Sequence, residues 1–314
     1  MQSGPFYLGL DIGGTRVRAA LGSGLNVGPT LSDEWPDGLS PESAVGFIAD
    51  LASGLISESG AAGTVRACGV SLAALTNKQG EVVSWPNHPD WRGLPFESML
   101  GSRLGLPLVI EDDANAAALA EAKLGAGRDY RNLLVMMAGT GVGAGLILRG
   151  RLFRGSNGWA GELGHQIVLP GGPECACGHR GCLQLVASGR ALERAAAEHG
   201  LPGAAALSEA AARGEVFALE ALADCGRWLG LAAANVVNLL DLEAVIVGGG
   251  LSKLGAPLWP ALEGALRTNL LVQSHRSVAL HQAALPDDAG VRGAILLAQD
   301  ACGESGDVSE TGRR

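Results

Sequence analysis

The chain has 314 residues, a formal net charge of −9 and 48 glycines. That length exceeds what one core usually serves, so two α/β lobes are expected. An acidic balance with no basic stripe argues against a nucleic-acid binder. No basic and apolar leader opens the chain, and no run of about 18 apolar residues follows, so a cytoplasmic protein without membrane contact is expected.

The elements read in order as follows. "FYLGLDI" (6–12) and "RVRAALG" (16–22) are strands around a glycine turn, a hairpin. Residues 41–59 carry helical spacing in Val45, Ile48, Leu51, Leu55 and Ile56, with Pro41 in the first turn and Gly60 past the end. "RACGVSLAAL" (66–75) and "LPLVIEDD" (106–113) read as buried strands, and a helix follows from Asn115. Residues 132–155 read as strand, glycine turn, strand, turn, strand. A hairpin around a glycine turn thus occurs near 11 and again near 140, a weak internal repeat. Residues 187–239 are mostly helical, and "LEAVIVGGGLS" (242–252) is a strand entering a triple glycine. A last helix is expected at 291–301, and the polar tail 303–314 is expected to be disordered.

Three glycine turns, each on an apolar strand, could admit a charged ligand to bare backbone. They are "DIGGT" (11–15), "GTGVGAG" (139–145) and "GGG" (248–250). None has the Walker pattern, and strand rather than helix follows "GTGVGAG", which disfavours a dinucleotide fingerprint. Taken singly, each is most simply a turn. "DIGGT" adds a carboxylate that could reach a phosphate-bound Mg²⁺. Asp112 and Asp113 end a strand where a helix begins. Asp113 or Asn115 could be its N-cap, and a carboxylate there is also kept ionised and able to take a proton.

His165, Cys175, Cys177 and Cys182 offer one imidazole and three thiolates, a set suited to a closed, structural zinc site. In a reducing compartment a close cysteine cluster is more simply a metal site than a disulfide framework. Zinc on one His165 nitrogen would fix the other as a donor, with Glu162 nearby. Cys68, Cys225 and Cys302 read as small buried hydrophobes.

In these residues the chain resembles the ROK family, bacterial sugar kinases of the glucokinase type and related repressors. The matching segments are "DIGGT", "EDDANAAALAE", "GTGVGAGLI", "AGELGH", "CACGHRGC" and "VIVGGG", in family order over about 7–250. The resemblance implies an actin/hexokinase-like (ribonuclease H-like) α/β fold: two lobes around a cleft, with ATP and Mg²⁺ on the glycine loops and the sugar between the lobes. The smaller lobe would be 1–115, rejoined by the helix 291–301. The larger would be 116–290, with a zinc loop at 165–182.

By carry-over, Asp11, Gly13, Gly14 and Thr15 contact phosphates or metal. Gly139, Thr140, Gly141 and Gly143 form the second phosphate loop, and Gly248 and Gly249 border the adenosine. Asp113 is the catalytic base. Asn87, Asp112, Glu162 and His165 contact the sugar, and His165, Cys175, Cys177 and Cys182 hold Zn²⁺.

The chain departs from the pattern at Gln184, where the family usually has Glu as a sugar contact. Ala73 and Ala74 replace the family's Pro-Gly, Asp112 replaces Asn, and Arg16 replaces Lys. The activity implied is ATP-dependent phosphorylation of a hexose, glucose first, at the 6-hydroxyl, by a homodimer. The alternatives are a non-catalytic sugar-binding or regulatory protein, an N-acylhexosamine kinase or a fructose kinase. The family's repressors carry a helix-turn-helix module before the kinase-like region, and with "DIGGT" at residue 11 none is expected here.

Overall fold

The computed structural model describes residues 5–36, 38–255, 257–272, 277–285 and 287–303. The expected disordered tail, beyond Gly303, lies outside the described residues. The chain divides into two compact units, residues 1–116 with 288–314, and residues 117–287.

The first unit starts with β1 (Phe6–Ile12), β2 (Arg16–Ser23), β3 (Asn26–Val27) and β4 (Leu31–Glu34). β1 and β2 form the expected antiparallel hairpin, with Ile12 opposite Val17. Helix α1 (Pro41–Glu58) is started by Ser40, whose hydroxyl accepts the Ser43 N–H. Its spacing buries Ala44, Val45, Ile48, Ala49 and Ala52. β5 (Val65–Leu72) follows, then the small hairpin of β6 (Leu75–Thr76) and β7 (Val82–Ser84). Helix α2 (Phe96–Leu104), β8 (Leu108–Asp112) and α3 (Asp113–Leu124) come next. Strand order is β3-β2-β1-β5-β8, with β4 beside β2. β1, β5 and β8 are parallel, and they bring Ile12, Leu72 and Asp112 to one level at their carboxyl ends. Such an edge, outside the carboxyl ends of parallel strands, is where open α/β sheets bind ligands.

The second unit holds β9 (Leu133–Ala138), β10 (Val142–Leu148) and β11 (Arg151–Leu152). Helices α4 (Gly189–Glu198), α5 (Ala204–Ala212) and α6 (Val216–Leu240) follow. β12 (Ala244–Gly248), α7 (Leu258–Asn269) and β13 (Ala279–Gln282) complete it. Strand order is β11-β10-β9-β12-β13. β9–β10 and β10–β11 are antiparallel, whereas β12 runs parallel to β9 and to β13. These five strands repeat the pairing of β3-β2-β1-β5-β8 in order and sense. The two hairpins seen in the sequence are therefore the opening of a duplicated sheet. The core of this unit is alanine- and leucine-rich, with Leu222, Leu229 and Val237 of α6 against Leu258, Leu262 and Leu266 of α7.

The chain ends with α8 (Ala289–Ala301), which returns to the first unit and packs on β1 and β5. Val291, Ile295 and Ala298 join Tyr7, Ala20 and Ala67 in one buried cluster. The approach is close. A methyl group on Gly69 of β5 would fall 1.8 Å from the Ala294 carbonyl oxygen, so only glycine fits there. No helix among the described residues is long and apolar enough to cross a membrane. The architecture is the expected actin/hexokinase-like α/β fold.

Candidate functional site

In the first unit the site residues gather at the carboxyl ends of β1, β5 and β8. Asp11 is the next-to-last residue of β1 and stands level with Ser71 of β5. Its carboxylate accepts the Ser71 hydroxyl at 2.8 Å and an Arg18 Nη1–H at 3.0 Å. Burial pushes the Asp11 carboxyl above its usual range, and Ser71 and Arg18 pull against that. The first turn of α8 closes over it: a methyl on Gly290 would meet Asp11 Oδ1 at 2.5 Å. A helix N-terminus there favours negative charge.

The glycine turn after Asp11 is tied down by its carbonyls. Trp35 Nε1–H donates to the Gly13 oxygen at 2.8 Å, and His88 Nε2 lies 2.9 Å from the Gly14 oxygen. His88 in turn packs in a cluster with Trp35, Trp85 and Trp91. Asn87 lies against Gly14, where an added methyl would come within 2.4 Å of its amide nitrogen. Asn87, expected at the sugar, is thereby placed beside the turn expected at the phosphates.

Asp112 and Asp113 sit where β8 becomes α3. The helix is capped by neither Asp113 nor Asn115. Asp112 Oδ1 accepts the Ala114 and Asn115 N–H groups at 3.0 and 3.4 Å. The cap falls one residue earlier because α3 begins at Asp113 itself, and a cap must precede the first helical residue. Asp113 is exposed in the first turn. Asn115 is buried and turns its amide to Glu111 Oε1 at 3.0 Å.

In the second unit the turn between β9 and β10 is also held through its carbonyls. Gly139 O accepts the Gly189 N–H at 2.7 Å and Thr140 O the Arg190 N–H at 3.4 Å, both from the start of α4. Gly143 lies in β10 opposite Met137. Gly248 ends β12, and Gly249 has a φ of 80°, with the Ala138 carbonyl oxygen 2.4 Å from where a methyl would be. Glycine is required there on both counts.

The metal candidates converge. The donor atoms of His165, Cys175, Cys177 and Cys182 all lie within 4.8 Å of one another. Cys177 and Cys182 sulfurs are 3.6 Å apart, and Cys175 Sγ is 3.8 Å from His165 Nδ1. A tetrahedral zinc with Zn–S bonds of about 2.3 Å places its sulfurs about 3.8 Å apart, so spacing and donor chemistry both fit.

The loop is shaped by bridges between Ile167 and Cys182 and between Glu174 and Arg180. Burial alone would raise the Cys175 thiol, but hydrogen bonds from the Cys177 backbone, Gln184 and the neighbouring thiols bring it to about 6. Burial and the Cys177 and Cys175 thiols push Cys182 up to about 12. Three thiols this close do not all ionise without a cation, which is the task a metal would perform.

With Nδ1 toward the cysteines, His165 turns Nε2 toward Glu162 Oε2, 4.0 Å away. Partial burial raises the Glu162 carboxyl, and His165 works against it. Gln184 sits two residues past Cys182 and donates Nε2–H to Cys175 Sγ at 3.5 Å.

Sequence reasoning missed Ser71, Arg18, Trp35, His88 and His179. Ser71 was detectable as a polar residue within a buried strand. His179 lies inside "CACGHRGC", with Nδ1 3.5 Å from Cys177 Sγ. Trp35 and His88 gave no signal, because their partners are backbone carbonyls remote in sequence.

The profile of the ROK family matches residues 7–301. A glucokinase of Streptomyces coelicolor is 34% identical over 315 residues, covering 93% of this chain and 97% of that one. The crystal structure of a ROK hexokinase from Thermus thermophilus superposes with a TM-score of 0.86 at 34% identity, over 96% of this chain and all of the other. A ROK family glucokinase from Streptomyces griseus, solved with glucose and AMPPNP, gives 0.78 at 33% identity, over 94% and 99%. These likenesses support a sugar kinase that binds ATP. The chain belongs to the ROK family.

Proposed function

We propose that the protein transfers the γ-phosphoryl group of ATP to the 6-hydroxyl of a hexose, with glucose the first candidate. The observation that carries this reading is the carboxyl edge of the first sheet. Asp11, the braced Gly13–Gly14 turn and the Asp112–Asp113 pair are gathered there by the parallel strands β1, β5 and β8, and Asn87 lies against Gly14.

In this reading Asp113 takes the proton of the attacking hydroxyl as its oxygen bonds to phosphorus, and ADP leaves with the bridging oxygen. The first turn of α3 favours the ionised carboxylate that this needs. Asn87, Asp112, Glu162, His165 and Gln184 hold the sugar hydroxyls. Backbone N–H groups of Gly14 and Thr15, and of Thr140 and Gly141, cradle the phosphates, while the Gly13 and Gly139 N–H groups donate to Arg16 O and Gly141 O and shape the two turns, the second of which leads into Gly143. Gly248 and Gly249 lie along the adenosine. Asp11 would hold the Mg²⁺ that accompanies ATP, and that ion would supply charge neutralisation on the transferring group. Transfer of this kind is mainly positioning and charge neutralisation. The residues suited to zinc are His165, Cys175, Cys177 and Cys182, and zinc bound there would supply a rigid crosslink. His165 Nε2 is then left as the donor to a hydroxyl. Homodimer formation is part of the same proposal and rests on family membership alone.

The test is ADP release by zinc-loaded protein with ATP, Mg²⁺ and a panel of glucose, mannose, fructose, N-acetylglucosamine and N-acetylmannosamine. Turnover on one sugar, reduced about 10²- to 10⁴-fold by Asp113→Asn with sugar binding retained, is expected for loss of a general base. An active Asn variant would refute Asp113 as the base. A second reading, sugar binding without catalysis, is motivated by Gln184 and by Ala73 and Ala74. Binding of a sugar with no turnover on any would establish it.

A further inference from the structure

We propose that Gln184 is a positioning residue for the metal cluster: its side-chain amide, packed beside the glycine turn at Gly141, holds the Cys175 thiolate through an N–H···S hydrogen bond. This rests on the zinc reading given above.

Gln184 lies in the 3-10 turn Leu183–Leu185, immediately after Cys182. Its place is fixed on both sides. Leu183 is fully buried, and its N–H donates to Gln166 O at 2.8 Å. From there Nε2 reaches Cys175 Sγ at 3.5 Å, an ordinary length for a donor to sulfur. The other end of the amide, Oε1, fills space that two glycines leave. A methyl on Gly141 would come within 3.2 Å of it, and one on Gly164 within 3.4 Å. One planar group therefore bonds the zinc loop and lies beside the segment carrying His165 and the turn between β9 and β10.

An amide suits this contact, in which a carboxylate would not serve. A zinc ion with three thiolates and a neutral imidazole carries a net negative charge, which an N–H donor stabilises. A carboxylate cannot donate when ionised, and it would add a second negative charge beside the sulfur. Partners that orient metal ligands in this way typically change affinity 10- to 100-fold when removed.

The experiment is zinc affinity by competition with a chromophoric chelator, on the full chain, for wild type, Gln184→Met and Gln184→Glu. Folding is checked by circular dichroism. Methionine keeps the length and removes the donor; glutamate keeps the shape and inverts the charge balance. The expected result is one zinc per wild-type chain and a loss of affinity of about ten-fold or more in both variants, larger for Glu. Cobalt-loaded protein adds a spectroscopic check, a shifted sulfur-to-metal charge-transfer band in both variants. Wild-type affinity in either folded variant overturns the proposal, and a raised KM for sugar with unchanged zinc affinity would leave Gln184 a sugar contact only. If Gln184→Met does not fold, Gln184→Glu alone decides by the same criterion. A wild-type chain that binds no zinc overturns the metal reading itself, and this proposal with it.

Discussion

His88 Nε2 lies 2.9 Å from the carbonyl oxygen of Gly14, a contact that spans 74 residues of chain. A carbonyl only accepts, so Nε2 carries the proton. Trp35 makes the matching bond to Gly13, and together they fix two successive peptide planes of the turn. The N–H groups of that turn are then set before any ligand arrives. Each neutral hydrogen bond contributes about 1 kcal/mol, or about five-fold in an affinity. His88→Ala and Trp35→Phe are each expected to raise KM for ATP about five-fold, with a smaller change in kcat. Steady-state kinetics with ATP varied at saturating sugar checks this. An unchanged KM in both would show that the turn keeps its shape without them.

Gly69 and Gly54 predict opposite outcomes for the same substitution. Gly69→Ala drives a methyl to 1.8 Å from the Ala294 carbonyl oxygen, backbone against backbone, and is expected to cost about 3 kcal/mol or more. Gly54 lies exposed within α1, with nothing within 4 Å of an added methyl. Gly54→Ala is expected to stabilise by about 0.5–1 kcal/mol. Urea unfolding of the two variants measures both, and a neutral Gly69→Ala would mean that α8 moves off β5 at little cost.

Glu121 is 1% exposed, yet it is held by backbone alone in the contacts it shows. Its carboxylate accepts the N–H groups of Ala126, Ala284 and Leu285 at 2.8, 3.2 and 2.8 Å. Removing it takes the acceptor from three backbone donors in partly buried hydrogen bonds. Glu121→Ala is expected to cost about 3–5 kcal/mol, and Glu121→Gln less, since one amide oxygen remains. Thermal unfolding gives the comparison, and Glu121→Ala within about 1 kcal/mol of wild type would contradict this account.

Metal removal has a thiol readout. Cys68 and Cys225 are buried, and burial pushes both thiols up, Cys225 to about 12, so neither should react with iodoacetamide in the folded protein. Cys302 is exposed. Mass spectrometry of zinc-loaded protein should find Cys302 modified alone. After chelation it should find the exposed Cys177 modified as well. Labelling of Cys177 in the loaded protein would count against metal on it.

Chemistry carried by adjacent residues was legible from residue order: the hairpins within 6–22 and 132–155, Pro41 in the first turn of α1, and the His–Cys spacing of the metal candidates. Each depends on backbone geometry over a few positions, so a linear reading suffices. Asp112 as the cap of α3 was misjudged by one residue, because the exact first helical residue depends on where β8 stops pairing. Strands β4, β6 and β13 escaped notice, being short, with β4 exposed and the other two only partly buried. The duplication was seen only as two glycine hairpins. Its continuation into β5 and β8, and into β12 and β13, is a matter of which distant strands pair, and the intervening helices share no pattern that marks it. Tertiary structure alone decided that Trp35 and His88 brace the Gly13–Gly14 turn, that Ser71 and Arg18 meet Asp11, and that Gln184 reaches Cys175. In each case the contact joins groups whose separation along the chain says nothing of their separation in space, and a hydrogen bond is a statement about the latter only.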